Sequence, residues 1–314
     1  MKIVFHYDAG PGLRSRLTNL SMSDLDVVVC PVKDRRRFAR HMQDAAVLWH
    51  VLEPVTDAVI EASPQLRLIQ KMGVGVNTID VEAARARGIR VCNMPGTNSR
   101  AVAEATLGLM FGALRRIPHF DAATRRGAGW SWDPALQDHL LELGGRCVGL
   151  VGYGSIPRIL APILHALGAD VIYHARTAKP DAIGDFCPLP ELLARADIVS
   201  LHVPLDDETR HMLDAKALAS MKAGAILINT ARGGLVDEVA LVDALESGRL
   251  RAAALDTFER EPAAADSPLL RLDNVVLTPH LAWLTTETLE RSVAVAAENC
   301  RRIGAGEALL HQVV

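Results

Sequence analysis

Short apolar runs typical of β-strands alternate with helical patterns along almost the whole of this 314-residue chain. The alternation favours parallel sheets covered by helices on both faces, because a chain needs a crossover before it can form the next parallel strand. The length is enough for two domains, each with a core of its own. We therefore predict an α/β protein with two doubly wound parallel sheets.

The first series of strands occupies the amino-terminal hundred residues, with helices predicted at 55–62 and 81–87. A later helix at 101–114 is apolar on nearly every side, so it must be buried within the protein or between subunits. The polar stretch 125–138 is expected to cross the surface as a connection. The strands predicted in the first series are 2–5, 26–30, 46–50, 66–70 and 90–92.

A second series of six strands follows, and a final helix at 285–303 is expected to return the chain to the first domain. Six strands with crossover helices match a complete doubly wound unit that binds a dinucleotide. The strands predicted in the second series are 146–151, 170–173, 198–201, 225–228, 252–255 and 275–277.

Composition excludes several other classes of protein. A net charge of −3 and an aromatic content of 4% provide neither the basic field nor the stacking surfaces that nucleic-acid binding requires. The five cysteines are odd in number, scattered and without a CxxC pair, so neither disulfides nor a metal site is expected. The sequence shows no signal peptide and no membrane-spanning stretch. We expect a soluble cytoplasmic protein without nucleic-acid or membrane partners.

A glycine-bearing turn follows the strand at 146–151. Gly152 permits a tight turn, and Gly154 lets the amides around Ser155 and Ile156 approach a pyrophosphate at the start of a helix. Pro157 stands where the third glycine of the dinucleotide-binding pattern would be. The pattern is thus incomplete, and by itself it fits a cofactor turn or an ordinary strand-to-helix loop.

The end of the next strand bears on the choice between the two nicotinamide dinucleotides. An acidic residue there would hold the ribose hydroxyls of NAD, but the strand at 170–173 leads instead to Arg176 and Thr177, with Lys179 close behind. A guanidinium can pair with a 2′-phosphate in a bidentate manner. We therefore expect NADP(H) to be preferred, with NAD(H) possible; the alternative is that these are solvated loop charges.

Three residues that suit hydride-transfer chemistry each follow a strand of the second series. Arg232 can grip a carboxylate and polarise a neighbouring carbonyl. His280 can donate a proton near neutral pH, and Glu261 would support its charged form and fix its tautomer. Since ligands of open α/β sheets bind at the carboxyl ends of strands, we predict that all three lie in one catalytic site.

Ordered blocks along nearly the whole chain resemble the D-isomer-specific 2-hydroxyacid dehydrogenases: KMGVGVNTIDVEAARARGIRVCNMPG, AVAEATLGLM, VGLVGYGSI, LHVPLDDETRHML, LINTARGGLVDEVAL, ALDTFEREP and LTPHLAWLT. The resemblance implies a flavodoxin-like substrate domain formed by 1–98 plus 283–314. A Rossmann-type cofactor domain at 99–282 would be inserted between them. It also implies a homodimer.

The resemblance assigns roles to further residues. Arg232 corresponds to the substrate-binding arginine, and Val74 and Gly75 to a segment whose amides bind the substrate carboxylate. Asp256 corresponds to the aspartate that holds the nicotinamide carboxamide, although it could instead cap a helix. The remaining cofactor-binding positions line the adenosine side or lie beneath the nicotinamide ribose: His202, Val203, Pro204, Thr209, Thr230 and Ala231.

The predicted activity is reduction of a small 2-oxo acid, such as glyoxylate or hydroxypyruvate, to the D-2-hydroxy acid by NADPH. Trp49, His50 and Trp283 are candidate walls of the substrate pocket, although each could instead be a packing or dimer-facing residue. One alternative is a dinucleotide-sensing, corepressor-like binding protein of the same fold. Another is an enzyme like S-adenosylhomocysteine hydrolase, which the length of the chain disfavours.

Overall fold

A computed structural model describes residues 1–21 and 25–314. The chain forms two compact units, one comprising Met1–Asn98 with Leu284–Val314 and the other Ser99–Trp283. Each unit contains one parallel sheet with helices packed against it, so the predicted α/β class is confirmed. Within the described ranges, no helix has the length and apolar character needed to cross a membrane.

The first unit has a five-stranded parallel sheet. Its strands are β1 (Lys2–His6), β2 (Asp26–Cys30), β3 (Val47–His50), β4 (Leu68–Lys71) and β5 (Arg90–Cys92). Its helices are α1 (Pro11–Ser21), α2 (Arg35–Met42), α3 (Asp57–Glu61), α4 (Val81–Ala86) and, from the end of the chain, α11 (Thr286–Ala305). The strand order β2-β1-β3-β4-β5 is that of flavodoxin-like folds, as expected.

A buried amide pair anchors α11 to the first sheet. The Asn299 side chain donates to Gln70 Oε1 at 2.7 Å and to Leu310 O at 3.0 Å, and Leu310 N donates back to Asn299 Oδ1 at 2.7 Å. Both amide side chains are fully buried, so these bonds satisfy groups that would otherwise be costly to remove from water. They explain why the last helix belongs to the first unit.

The expectation that Trp49 and His50 line a substrate pocket is wrong, because both side chains are buried inside the first unit. Trp49 is fully buried and packs edge-on against Phe5, with 5.8 Å between ring centroids. His50 is 1% exposed, and its Nε2 lies 2.6 Å from Glu53 O. Burial lowers the pKa of His50 to about 3, so its ring is neutral. Both residues end an entirely buried strand, where alternation of inward and outward side chains gives no guide to exposure.

The second unit has a seven-stranded parallel sheet. Its strands are β6 (Cys147–Val151), β7 (Asp170–His174), β8 (Asp185–Phe186), β9 (Ile198–Leu201), β10 (Ala225–Asn229), β11 (Leu250–Leu255) and β12 (Val275–Leu277). The order β12-β11-β10-β9-β6-β7-β8 places the first strand of the unit, β6, beside the switch point of a dinucleotide-binding sheet. Six strands were expected; β8 was missed because two exposed residues carry no apolar pattern.

The helices of the second unit cover this sheet. They are α5 (Ser99–Arg115), α6 (Ile117–Arg125), α7 (Ser155–Ala166), α8 (Leu189–Arg195), α9 (Ala215–Ser220) and α10 (Glu238–Glu246). Helix α5 is the apolar helix expected at 101–114. Most of it is buried, but Arg100, Glu104 and Gly108 leave one side exposed. The stretch after it is less irregular than expected, since α6 and a short 3-10 helix at Pro134–His139 occupy part of it.

Candidate active site

The loops that follow β10, β11 and β12 carry the three predicted catalytic residues. These strands are neighbours in the sheet, with Asn229 paired to Leu255 and Leu255 paired to Leu277. Parallel pairing brings their carboxyl ends to one edge of the sheet. Arg232, Glu261 and His280 therefore emerge from three adjacent strand ends of the second unit.

His280 and Glu261 form a hydrogen-bonded pair. His280 Nδ1 lies 2.7 Å from Glu261 Oε2, and Glu261 Oε1 accepts from the Phe258 amide at 3.1 Å. A carboxylate can only accept, so Nδ1 carries the proton in this pair and Nε2 is left to exchange a proton with a substrate. The imidazole is 20% exposed and the carboxylate 34%, which leaves the pair within reach of a ligand.

Glu261 is held in its charged form. Burial by itself would raise the pKa of this carboxyl, but the hydrogen bond and charge of His280 act in the opposite direction. The Phe258 amide and the Arg232 guanidinium add to that effect, and the net pKa of Glu261 lies below its ordinary value. An ionised Glu261 is the partner that an imidazolium at His280 requires.

Arg232 occupies a half-buried position beside this pair. Burial lowers the pKa of its guanidinium, and the charge of Glu261 partly opposes that shift. Its Nη1 donates to Ala231 O at 2.7 Å. The Asn229 side chain, at the end of β10, holds the loop that carries Arg232. It accepts from Ala231 N at 3.0 Å and donates to Arg232 O at 2.8 Å.

Gly233 lets the arginine loop meet the glutamate loop. A Cβ atom at Gly233 would overlap the backbone of Phe258 and Glu259, so no larger residue fits there without displacing the loop that leads to Glu261. The sequence contained a signal for this approach in the two glycines after Arg232, but it did not indicate which backbone would be met.

Asp256 organises the loop that carries His280. Its buried carboxylate accepts from Thr278 Oγ1 at 2.6 Å, from Leu281 N at 2.8 Å and from Ala282 N at 3.0 Å. The Asp256 carbonyl also accepts from His280 N at 2.8 Å. Asp256 is therefore not a helix cap, and these contacts hold His280 at its left-handed φ of 55°.

A second carboxylate–imidazole pair supports the Glu261 loop and was not predicted. His211 Nε2 lies 2.7 Å from Glu259 Oε1, and the Glu259 amide donates to Glu238 at the start of α10. Burial, with smaller contributions from the charges of Glu259 and Glu261, raises the pKa of Glu238. No local pattern marks this pair, because its members are distant in the sequence and Glu238 looks like an ordinary first-turn acid.

The glycine turn has the geometry that a dinucleotide requires. Gly152 has a φ of 99°, and a Cβ there would lie 2.5 Å from His202 O, so glycine is obligatory at this position. Among residues 1–21 and 25–314, apart from the neighbours of Gly154 in the chain, no atom lies within 4 Å of a Cβ placed at Gly154, and no side chain caps α7 there. The open space and the uncapped amides at Ser155 and Ile156 fit a pyrophosphate. Pro157 is buried in the first turn of α7.

His202 and Val203, two of the residues predicted to line the adenosine side, lie beside this turn, but several side chains of that group bond within the protein itself. His202 Nε2 lies 2.9 Å from Ser200 Oγ, and burial lowers the pKa of His202 to about 3. Thr209 Oγ1 donates to Pro204 O at 2.8 Å. Val203 is half-buried and Pro204 exposed, so both leave surface available to a ligand.

Thr230 and Ala231 lie at the carboxyl end of β10. Thr230 Oγ1 is 2.9 Å from Thr106 Oγ1, which itself donates to Val102 O at 2.7 Å, so Thr230 is the donor to Thr106. The contact links α5 to the strand end from which Arg232 emerges. It accounts for the burial of a threonine in this otherwise apolar helix.

The basic residues after β7 are exposed. Arg176 and Thr177 both face solvent, and Lys179 Nζ donates to Thr177 Oγ1 at 3.1 Å. The Asp206 carboxyl is near enough to sense Arg176: its pKa is lowered chiefly by the Thr209 hydroxyl, with a smaller effect from the Arg176 charge. No carboxylate forms a close ion pair with Arg176 in the described ranges.

Val74 and Gly75 follow β4 in the first unit. Val74 is 43% exposed, and its carbonyl accepts from Asn93 Nδ2 at 2.9 Å. Among the described residues, neither amide of this pair finds a hydrogen-bond acceptor. Two adjacent unpaired amides are the donors that the resemblance assigns to a substrate carboxylate. Trp283, the third candidate wall, lies in the second unit, where its indole donates to His280 O at 3.1 Å.

Comparison with known proteins matches residues 107–282 to the D-isomer specific 2-hydroxyacid dehydrogenase, NAD binding domain. A D-3-phosphoglycerate dehydrogenase of Methanocaldococcus jannaschii is 42% identical over 81% of this chain, which spans 48% of that relative's length. A glyoxylate reductase of Aeropyrum pernix is 41% identical over 82% of this chain and 79% of its own. The crystal structure of TT0316 protein from Thermus thermophilus is 38% identical, covers both chains completely and has a TM-score of 0.90. This chain belongs to the D-isomer-specific 2-hydroxyacid dehydrogenase family.

Proposed function

We propose that this protein reduces a small 2-oxo acid, such as glyoxylate or hydroxypyruvate, to the D-2-hydroxy acid with NADPH as the reductant. The observation that carries the proposal is the 2.7 Å contact between His280 Nδ1 and Glu261 Oε2, on loops adjacent to the one that carries Arg232. A proton donor with a charged partner and a nearby guanidinium is what reduction of an anionic carbonyl compound needs. The glyoxylate reductase among the relatives agrees with this substrate class.

The glycine turn, Arg232 and His280 would have separate roles in the proposed reaction. Gly152, Gly154 and the uncapped start of α7 would hold the pyrophosphate of the dinucleotide, which supplies a hydride when bound. Arg232 would bind the substrate carboxylate and polarise the carbonyl oxygen. His280 Nε2 would deliver a proton to that oxygen as negative charge develops on it.

Glu261 and two backbone amides would complete this chemistry. Glu261 stabilises the imidazolium before the proton leaves and the neutral tautomer afterwards, since its bond to Nδ1 persists in both states. The free amides of Val74 and Gly75 would bind the substrate carboxylate. A carboxylate bound by paired donors has few orientations open to it, which favours reaction over mere binding.

The preference for NADPH rests on Arg176. The strand end after β7 presents Arg176, Thr177 and Lys179 and no acidic residue, and all of its donors are half-buried or exposed. A 2′-phosphate would gain charge-assisted hydrogen bonds from this group, whereas the end of β7 has no acidic residue to accept from the ribose hydroxyls of NADH.

We further propose that the protein is a cytoplasmic homodimer. Trp130 is 91% exposed and Trp132 45% exposed in the segment after α6. Large exposed aromatic side chains mark association surfaces, which supports self-association here. Sedimentation equilibrium should give twice the mass of one chain, and a monomeric mass at micromolar concentration would overturn this part of the proposal.

Steady-state assays with a panel of 2-oxo acids, each with NADH and NADPH, test the proposed function. We expect turnover with glyoxylate or hydroxypyruvate, and a fall of about 10²–10⁴-fold in kcat for His280→Ala, the usual range for loss of a general acid. His165→Ala, an exposed histidine on α7, is the matched control and should retain wild-type turnover. Absence of any turnover in the wild type would favour the dinucleotide-sensing alternative, and unchanged turnover in His280→Ala would remove the histidine from the mechanism.

A further inference from the structure

A cavity of about 240 Å³ lies within the second unit, away from the candidate active site. Its floor is formed where β10, β11 and β12 begin, at Gly224, Leu250 and Val275. The catalytic candidates follow the opposite ends of the same strands. Along β11 the two ends are separated by roughly 17 Å, at about 3.3 Å per residue. The volume is far above the ~10–15 Å³ that a single water needs.

Basic side chains dominate the polar lining of this cavity. Arg116, Arg251, His119 and His139 all contribute to it, and Asp273 is the one acidic residue of the lining. Within residues 1–21 and 25–314, neither arginine forms an ion pair with a carboxylate, Asp273 included. Two guanidinium groups and one carboxylate on the same concave surface leave an excess of positive charge at the cavity.

The guanidinium groups are held in place yet only partly bonded. Arg116 Nη2 donates to Asp273 O at 3.2 Å, and Arg251 Nη1 donates to Asp138 O at 3.0 Å. The Nε atoms of both arginines are buried and have no hydrogen-bond acceptor within the described part of the chain. An unpaired buried donor is unusual in a folded protein, and it leaves the charge of each guanidinium only partly compensated by the chain.

Two residues that line the cavity, Arg116 and Gly224, have a positive φ. Arg116 has a φ of 50°, in the left-handed region that arginine rarely adopts, in the turn between α5 and α6. Gly224 has a φ of 74°, and a Cβ there would lie 3.7 Å from Arg251 Nη2. That distance is an ordinary van der Waals contact, so the positive φ, and not the space beneath Arg251, favours glycine at this position.

We propose that this cavity is a second ligand site, which binds a small doubly charged oxyanion such as a phosphate or a dicarboxylate. Arg116 and Arg251 provide the two charges, since a planar guanidinium offers paired donors that match phosphate and carboxylate oxygens. His119 and His139 also line the cavity, and His139 Nδ1 accepts from Arg251 Nη1 at 3.3 Å, which further fixes the guanidinium. The site is distinct from the substrate site at Arg232 because it opens at the other edge of the sheet.

Titration calorimetry of the full-length protein, saturated with NADPH and at fixed ionic strength, tests the proposal with orthophosphate and with malonate as probes. We expect saturable binding of at least one probe, and the better one identifies whether phosphate or carboxylate chemistry is preferred. The R116Q/R251Q variant should bind at least about tenfold more weakly, which corresponds to about 1.4 kcal/mol. The control R100Q/R126Q, which removes two exposed charges outside the cavity, should bind like the wild type.

Either of two calorimetric results would overturn the proposal. One is the absence of saturable binding of either probe to the wild type, and the other is equal affinity in R116Q/R251Q and the wild type. Neither arginine belongs to the proposed catalytic machinery, so turnover of R116Q/R251Q without added anion should equal that of the wild type and shows that it has folded. Should that variant fail to fold, wild-type crystals soaked in phosphate decide the matter: an anion between Arg116 and Arg251 supports the site, whereas a second copy of the chain or solvent alone in the cavity contradicts it.

Discussion

At the scale of single residues, Glu261 links the stability of the site to pH. Burial opposes its ionisation, but the bond to His280 prevails, so its folded-state pKa lies below the ordinary value of 4.5. A group with a depressed folded pKa contributes stability that is present above its unfolded pKa and is lost as pH falls through the folded one. The contribution of Glu261 is therefore complete near neutral pH and is lost below pH 4.5.

Glu261→Gln should consequently destabilise the protein at pH 7 more than at pH 4. The measurement is the difference in free energy of unfolding between wild type and variant, taken from denaturant curves across this range. For Asp207→Asn, at an exposed carboxylate, the difference in free energy of unfolding from the wild type should not become smaller as the pH falls. A difference that stays constant or widens toward acid would contradict the assignment of a charged Glu261 in the folded state.

The proposed preference for NADPH can be tested at Arg176. Replacement by glutamine in Arg176→Gln removes the charge that would face a 2′-phosphate, so kcat/KM with NADPH should fall about 10–100-fold, the value of a charge-assisted hydrogen bond. The same parameter with NADH should change less than about twofold. Arg126→Gln, at another exposed arginine, serves as the control. Equal losses with both cofactors would show that Arg176 does not read the phosphate.

At the scale of elements, the turn between β6 and α7 contains two glycines with different roles. Gly152 is needed for the backbone conformation, whereas Gly154 is proposed to leave room for the dinucleotide. Gly152→Ala should lower the free energy of unfolding by more than ~1 kcal/mol, because its φ of 99° and the His202 carbonyl at 2.5 Å exclude a Cβ. Gly154→Ala should leave stability unchanged, since nothing lies within 4 Å, yet should weaken dinucleotide binding. Thermal unfolding and cofactor titration of both variants measure the two effects, and a stable Gly152→Ala protein would contradict the described turn.

The elements also show what the sequence could and could not predict. The predicted bounds of β2 and β9 agree with the structure to the residue, because each strand is a short run rich in β-branched residues with polar residues at its ends. The two-residue β8 was missed, and so was α6, which begins at a left-handed Arg116 without a capping side chain. These elements depend on tertiary packing rather than on local pattern.

The candidate site divides in the same way. Arg232, Glu261 and His280 each stand at a strand end and have the chemistry of their proposed roles, so sequence reasoning could select them. The supporting contacts could not be selected, because the His211–Glu259 pair joins residues 48 positions apart and Asp256 serves a loop more than twenty residues away. Such contacts arise only once the sheet brings distant loops together.

At the scale of the molecule, the last helix returns to the first unit through a pair of buried amides. Asn299→Ala would leave Gln70 Oε1 and the Leu310 backbone without partners, at a cost of about 1–3 kcal/mol in free energy of unfolding. Asn77→Ala, at an exposed asparagine of the same unit, is the matched control. Denaturant unfolding checks the difference, and equal stability of the two variants would show that α11 is held by its apolar contacts alone.

Hydride transfer from a nicotinamide to the carbonyl carbon of a 2-oxo acid is the step on which the proposed function depends. Its most direct test is to incubate the protein with hydroxypyruvate and NADPH deuterated at C4 of the nicotinamide, in separate samples for the two faces of the ring. We expect D-glycerate that carries one deuterium at C2 in one of the two samples. Product without deuterium in both samples, or no product at all with any 2-oxo acid tested, would contradict it.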